Sequence, residues 1–154
     1  MNHTKIIGLL LIGVFFCASL SSPATVQAAA DNRYVIAGIE DAAKFESAFL
    51  ALQAAVAAND RNKVADSILY PLRVNGWIDG ISGKTTAQFA SRKEVMEDYD
   101  EIFTPQVKEA FAKQKVADLF VNWQGVMVGK GEAWLAASEK TPVRYGISTV
   151  NLEK

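Results

Sequence analysis

The sequence predicts an α+β domain, and two compositional regimes and one absence carry that expectation. From Glu40 onward Ala, Leu, Glu, Lys and Gln dominate, strong helix formers, with apolar residues recurring every three or four positions. From Leu119 to Val150 the apolar residues become Val, Trp, Phe and Ile in short alternating runs, the pattern of half-buried strands. The absence is cysteine. The single one, Cys17, lies near the N-terminus, so disulfides cannot staple the rest and the fold must rest on apolar burial. The order helix, helix, short strands, helix pair and antiparallel meander describes N-terminal helices packed on a mainly antiparallel sheet.

Residues 1–28 read as a secretory signal peptide. Lys5 supplies the positive n-region, Ile6 to Leu20 the apolar h-region, and Val26-Gln27-Ala28 the small-residue cleavage site. The apolar run is shorter than the roughly 20 residues of a spanning helix. Phe15 and Phe16 stand where a lipidation site at Cys17 would need small residues. Cleavage after Ala28 would leave no membrane anchor and place the protein in the periplasm or outside the cell. The remainder divides into a short extension, residues 29–39, with an apolar stub at Tyr34-Val35-Ile36, and one domain over residues 40–152, an ordinary size for a single core.

Within that domain the spacing predicts a helix from about Glu40 to Asn59, with Phe45, Phe49, Leu52 and Val56 on one inward face. Asp60 is the expected N-cap of a second helix carrying Val64, Ile68 and Leu69 inward, ended by Pro71. Leu72 to Ile81 takes strand character, Gly76, Gly80 and Gly83 suggest a turn, and Lys84 to Phe89 returns. Ser91 and Glu94 form a capping box for a helix bearing Val95, Tyr99, Ile102 and Phe103. Thr104-Pro105 restarts the chain as cap and first helical residue, with Val107, Ala110 and Phe111 inward. Strands are expected over Leu119–Trp123, Gly125–Val128, Glu132–Ala136 and Val143–Val150. The Gly129-Lys130-Gly131 turn joins the second of these to the third.

Composition excludes more chemistry than it suggests. His3, like Cys17, falls in the segment expected to be removed. The mature chain then has no imidazole or thiol for nucleophilic catalysis, His bases or N/S metal sites. No metal, cofactor or catalytic set is expected. Taking Lys5 from the 16 Lys+Arg leaves 15 against 17 Asp+Glu, a formal net charge of −2. No basic cluster is dense enough to track phosphates, so nucleic acid is not an expected partner. Glu94, Glu97, Asp98, Asp100 and Glu101 form an acidic stretch that a helix would spread around its axis, which suits a solvated face better than a Ca²⁺ loop.

Seven residues are candidates for ligand binding: Tyr70, Arg73, Asn75, Trp77, Tyr99, Trp123 and Trp134. Arg73, Asn75 and Trp77 alternate, so a strand would present all three on one face. There a guanidinium could hold a carboxylate with bidentate donors. The structural alternative pairs Arg73 with Asp98 or Glu101 and buries Trp77. Trp123 and Trp134 could flank a pocket or a partner surface, or pack in the core. Asn122 and Gln124 alternate with Val121 and Trp123, making one face polar there, as plain surface or as a pocket floor.

The element order resembles the cone-shaped nuclear-transport-factor-2-like (SnoaL-like) superfamily. The segments Tyr70-Pro71-Leu72-Arg73-Val74-Asn75 and Tyr99-Asp100-Glu101-Ile102-Phe103-Thr104-Pro105 look like those of a group of exported bacterial proteins with this fold. So do Leu119-Phe120-Val121-Asn122-Trp123-Gln124-Gly125-Val126-Met127-Val128-Gly129 and Gly131-Glu132-Ala133-Trp134. The resemblance covers residues 40–150 and implies a strongly curved sheet forming a cone. It brings no activity, because the scaffold carries enzymes, binding modules and assembly domains alike. Catalytic members commonly place Asp/His or Asp/Tyr pairs in the cone, and this mature chain has no His to match. Three readings follow. The first is an exported non-enzymatic binding protein that takes a small molecule in the cone or a protein on the sheet face, an inhibitor or immunity-type partner being one form. The second is an enzyme of the same fold using Tyr with Asp or Glu. The third is a structural domain that forms a homodimer through the back of the sheet.

Overall fold

Helix caps divide the first half of the chain. The computed structural model describes residues 32–78 and 85–152, so the expected signal peptide and the turn glycines Gly80 and Gly83 lie outside the described residues. Helix α1 (Ala42–Ala57) starts where the Asp41 carboxylate accepts the Lys44 N–H at 2.9 Å. Helix α2 (Arg61–Asp66) starts on Asp60, whose side chain accepts the Lys63 N–H. Ser91 caps α3 (Arg92–Glu97), and Glu94 reaches back to the Ala90 N–H at 2.7 Å. A short α4 (Tyr99–Ile102) follows, then α5 (Pro105–Lys113), capped by Thr104 with Pro105 in its first turn. Each cap gives an orphan helix N–H an acceptor, worth about 1 kcal/mol.

Six strands form one open mixed sheet in the order β2-β1-β6-β5-β4-β3. They are β1 (Ile68–Asn75), β2 (Thr86–Phe89), β3 (Phe120–Asn122), β4 (Gly125–Val128), β5 (Ala133–Ala137) and β6 (Tyr145–Asn151). All neighbours are antiparallel except β1 and β6, which run parallel. The Gly129-Lys130-Gly131 turn between β4 and β5 has positive φ at both glycines, 66° and 117°.

Several boundaries differ from expectation, among them the end of β1 at Asn75 rather than Ile81, and two bear on how the chain is read. Ile68 and Leu69 do not finish α2. Ser67 caps that helix and they open β1, so the strand starts four residues earlier than predicted. Pro71 therefore sits inside a strand. It is tolerated because β1 departs from the β6 ladder between Ile68 and Arg73, where a missing N–H costs no cross-strand bond. The single helix expected after Ser91 is interrupted at Asp98, although Val95, Tyr99, Ile102 and Phe103 are all buried as predicted.

The helices cover one face of the sheet. Phe45, Phe49, Leu52 and Val56 of α1 join Tyr99, Phe103, Val107 and Phe111 against Leu72 and Val74 of β1, Val126 and Val128 of β4, Leu135 of β5, and Ile147 and Val150 of β6. Among the described residues, no charged side chain is buried with them. The inner face is apolar.

Candidate functional site

Strand alternation sends the opposite side chains outward. In β1, Leu72 and Val74 are buried while Arg73 is exposed and Asn75 half-buried. Registers across the sheet align Gln88, Arg73, Thr149, Trp134, Met127 and Phe120 in one row running from edge to edge of this outer face. The next rung places Asn75 beside Asn151.

A cleft of about 340 Å³ opens on these two rungs, lined by Arg73, Asn75, Gln124, Trp134, Thr149 and Asn151. Its polar side chains hold one another. Arg73 Nε donates to Asn75 Oδ1 at 2.9 Å, Asn75 Nδ2 donates to Asn151 Oδ1 at 2.7 Å, and Asn151 Nδ2 donates to the Gly131 carbonyl. Thr86 Oγ1 also donates to Asn75 Oδ1, at 3.3 Å. The chain of bonds fixes the guanidinium through Nε, and among the described residues its two terminal nitrogens have no acceptor, which leaves them for a ligand in the cleft. Among the described residues Arg73 has no carboxylate within ion-pair distance. The helix carboxylate stretch is engaged elsewhere: Asp100 pairs with Arg61 at 2.9 Å and with Lys108 at 3.7 Å.

The seven sequence candidates therefore separate. Arg73, Asn75 and Trp134 meet in the cleft. Tyr70 does not reach it. Its hydroxyl donates to the Ala65 carbonyl at 2.9 Å, burial raises its pKa, and its ring lines an adjoining cleft with Leu69, Pro71 and Ala136. Trp77 is not on the Arg73 face. Gly76, with φ 80°, ends the alternation, and the indole packs edge-on against Phe89 at 5.1 Å, on the core side. Tyr99 is 1 % exposed on the helix side of the sheet, stacked on Phe103 at 4.8 Å, with Arg61 and Lys108 over its ring. Its hydroxyl has no hydrogen-bond partner among the described residues, and burial raises its pKa. Trp123 stands in the β3–β4 turn, 77 % exposed, outside the cleft that its neighbour Gln124 lines.

Thr149 and Asn151 were not singled out from the sequence. Both lie on β6, some 75 residues along the chain from Arg73 and Asn75, and only the parallel β1–β6 register brings them there. Of the remaining tyrosines, Tyr34 donates to Glu46 Oε1 at 2.9 Å and accepts from Arg33 at 3.1 Å. No group of three or more His, Cys, Asp or Glu among the described residues could hold a metal ion, and no helix there is long and apolar enough to cross a membrane.

Comparison with known proteins returns no match, whether to family models, curated proteins or solved structures.

Proposed function

We propose that the protein acts by binding, with the outer face of its sheet as the recognition surface, and that it is an exported member of the nuclear-transport-factor-2-like superfamily. The observation that carries the binding reading is Arg73: a guanidinium held in place by the Asn75–Asn151–Gly131 chain, with no carboxylate paired to it among the described residues, beside an indole. A fixed donor with unused hydrogen-bonding capacity is preorganised for a ligand, which reduces the ordering cost of binding.

The family reading is supported by the element order, with two leading helices, a β1–β2 hairpin, three short helices and a four-strand run whose last strand returns beside the first. Export is supported by the n-region, h-region and small-residue site of residues 1–28. Intact mass of material recovered outside the cytoplasm should correspond to a chain starting at residue 29, and a mass that includes Met1 overturns export by this route.

A ligand screen read by amide and indole NMR shifts tests the site. Hits should perturb the side-chain amides of Asn75 and Asn151 and the indole of Trp134. Hits that map only to other surfaces overturn the proposal. A homodimer through this face is the second reading, favoured by Phe120, which is 52 % exposed at the apolar end of the cross-sheet row. It predicts a concentration-dependent solution mass and ligand binding that weakens as the dimer forms.

A further inference from the structure

We infer that the ligand of this face is a linear acidic saccharide, laid along β5 and β6 with a carboxylate over Arg73; this deepens the binding reading and rests on it. Three clefts follow one another along the outer face. The first, about 340 Å³, lies at Met127 and Gly131. The second is the Arg73 cleft, and Trp134 and Asn151 line both. The third, about 460 Å³, lies at Pro71 and Ala136, each two residues from Arg73 and Trp134 along the same strands. The five residues of β5 alone span roughly 15 Å at the usual strand rise. A trough of that length suits several units of a chain.

The chemistry selects a saccharide over a peptide. The clefts lie on the face of the sheet, and β1, β6 and β5 beneath them are not edge strands, so a peptide finds no open sheet edge to join there. What remains is side chains: amides, a hydroxyl and an indole. These complement a ring that carries hydroxyls on its edge and C–H groups on its faces. The acidic group is assigned by Arg73, the one charged residue among the described residues that line the central cleft. A carboxylate on its terminal nitrogens would form a bidentate, charge-assisted pair. The flanking clefts carry both signs, with Lys130 beside Glu132 in the first and Arg144 beside Glu139 in the third. Charge selection is therefore sharpest at the centre.

Titration of the purified protein with tri-galacturonate, maltotriose and tri-glutamate, read by calorimetry and tryptophan fluorescence, tests this. Tri-galacturonate should bind at least about tenfold more tightly than either of the others, the scale of one charge-assisted contact. Arg73→Met should remove that advantage with an unchanged melting temperature, and Trp134→Ala should weaken both saccharides. Maltotriose binding as tightly as tri-galacturonate overturns the acidic assignment. Tri-glutamate binding as tightly shows that charge alone recruits the ligand and overturns the saccharide. Absence of any saccharide binding overturns the inference as a whole. In that event the binding reading stands if the ligand screen still maps to Asn75, Asn151 and Trp134, and falls with it if the screen maps elsewhere.

Discussion

The two faces of the sheet are written by the same residues, one position apart, and they obey different rules. Inward, Leu72, Val74 and Val150 meet Phe45, Phe49 and Phe111 with no charged side chain buried among the described residues. Outward, Arg73, Asn75, Thr86 and Asn151 make a hydrogen-bonded network, with Thr149 beside it in the cleft. The inner face gains by excluding water. The outer face gains by holding polar groups in fixed positions where water, or a ligand, can reach them. Stability and recognition are thus separable here by a single alternation, and substitutions on the two faces should fail in different ways.

The largest effect is expected from Phe49→Ala, which deletes a fully buried ring and should cost about 3–5 kcal/mol in a denaturant titration. An unchanged midpoint would show that α1 is turned the other way. A sharper comparison uses neighbours on one strand. Leu72→Ala should lose about 2–5 kcal/mol. Arg73→Met, at an exposed position, should stay within about 0.5 kcal/mol of the parent. Equal losses at the two positions would mean that Arg73 is part of the scaffold. Next comes Ser91→Ala, which removes the α3 cap and should cost about 1 kcal/mol without touching either face.

The smallest effect concerns Tyr99. Its unpartnered hydroxyl pays a desolvation cost with no return, so Tyr99→Phe should leave stability unchanged or raise it by about 1 kcal/mol. Burial raises the Tyr99 pKa above its usual value near 10, so the folded state holds the phenol proton more tightly than the unfolded chain does. The resulting stability is present below about pH 10 and is lost as pH rises through the folded pKa. Alkaline unfolding followed by circular dichroism should therefore be shallower for Tyr99→Phe than for the parent. An identical pH profile would show that the phenol titrates as freely folded as unfolded.

What the sequence made legible is local. Period and capping chemistry placed α1, the helix starts at Asp60, Ser91 and Thr104, and the glycine turn of the β4–β5 hairpin, because each depends on residues a few positions apart. The alternation that joined Arg73 to Asn75 held, but its extension to Trp77 failed at Gly76, where a positive φ redirects the chain. Pro71 misled in the other direction. Read as a helix stop, it hid the start of β1, since a strand can carry proline where it leaves its partner. Two of the six cleft residues were out of reach for a different reason. Thr149 and Asn151 join Arg73 and Asn75 through a pairing between distant segments, and no local pattern announces a parallel register.

That pairing also dictates when the molecule can fold. Strand β6, the last to be synthesised, lies between β1 and β5, so the two portions of the sheet have no common seam until it arrives. A nascent chain that has released everything up to Lys140 holds a β1–β2 hairpin and a β3–β4–β5 meander that cannot yet join. Non-local closure of this kind is slow compared with helix formation. Completion of the sheet therefore waits on β6, the last of the described strands.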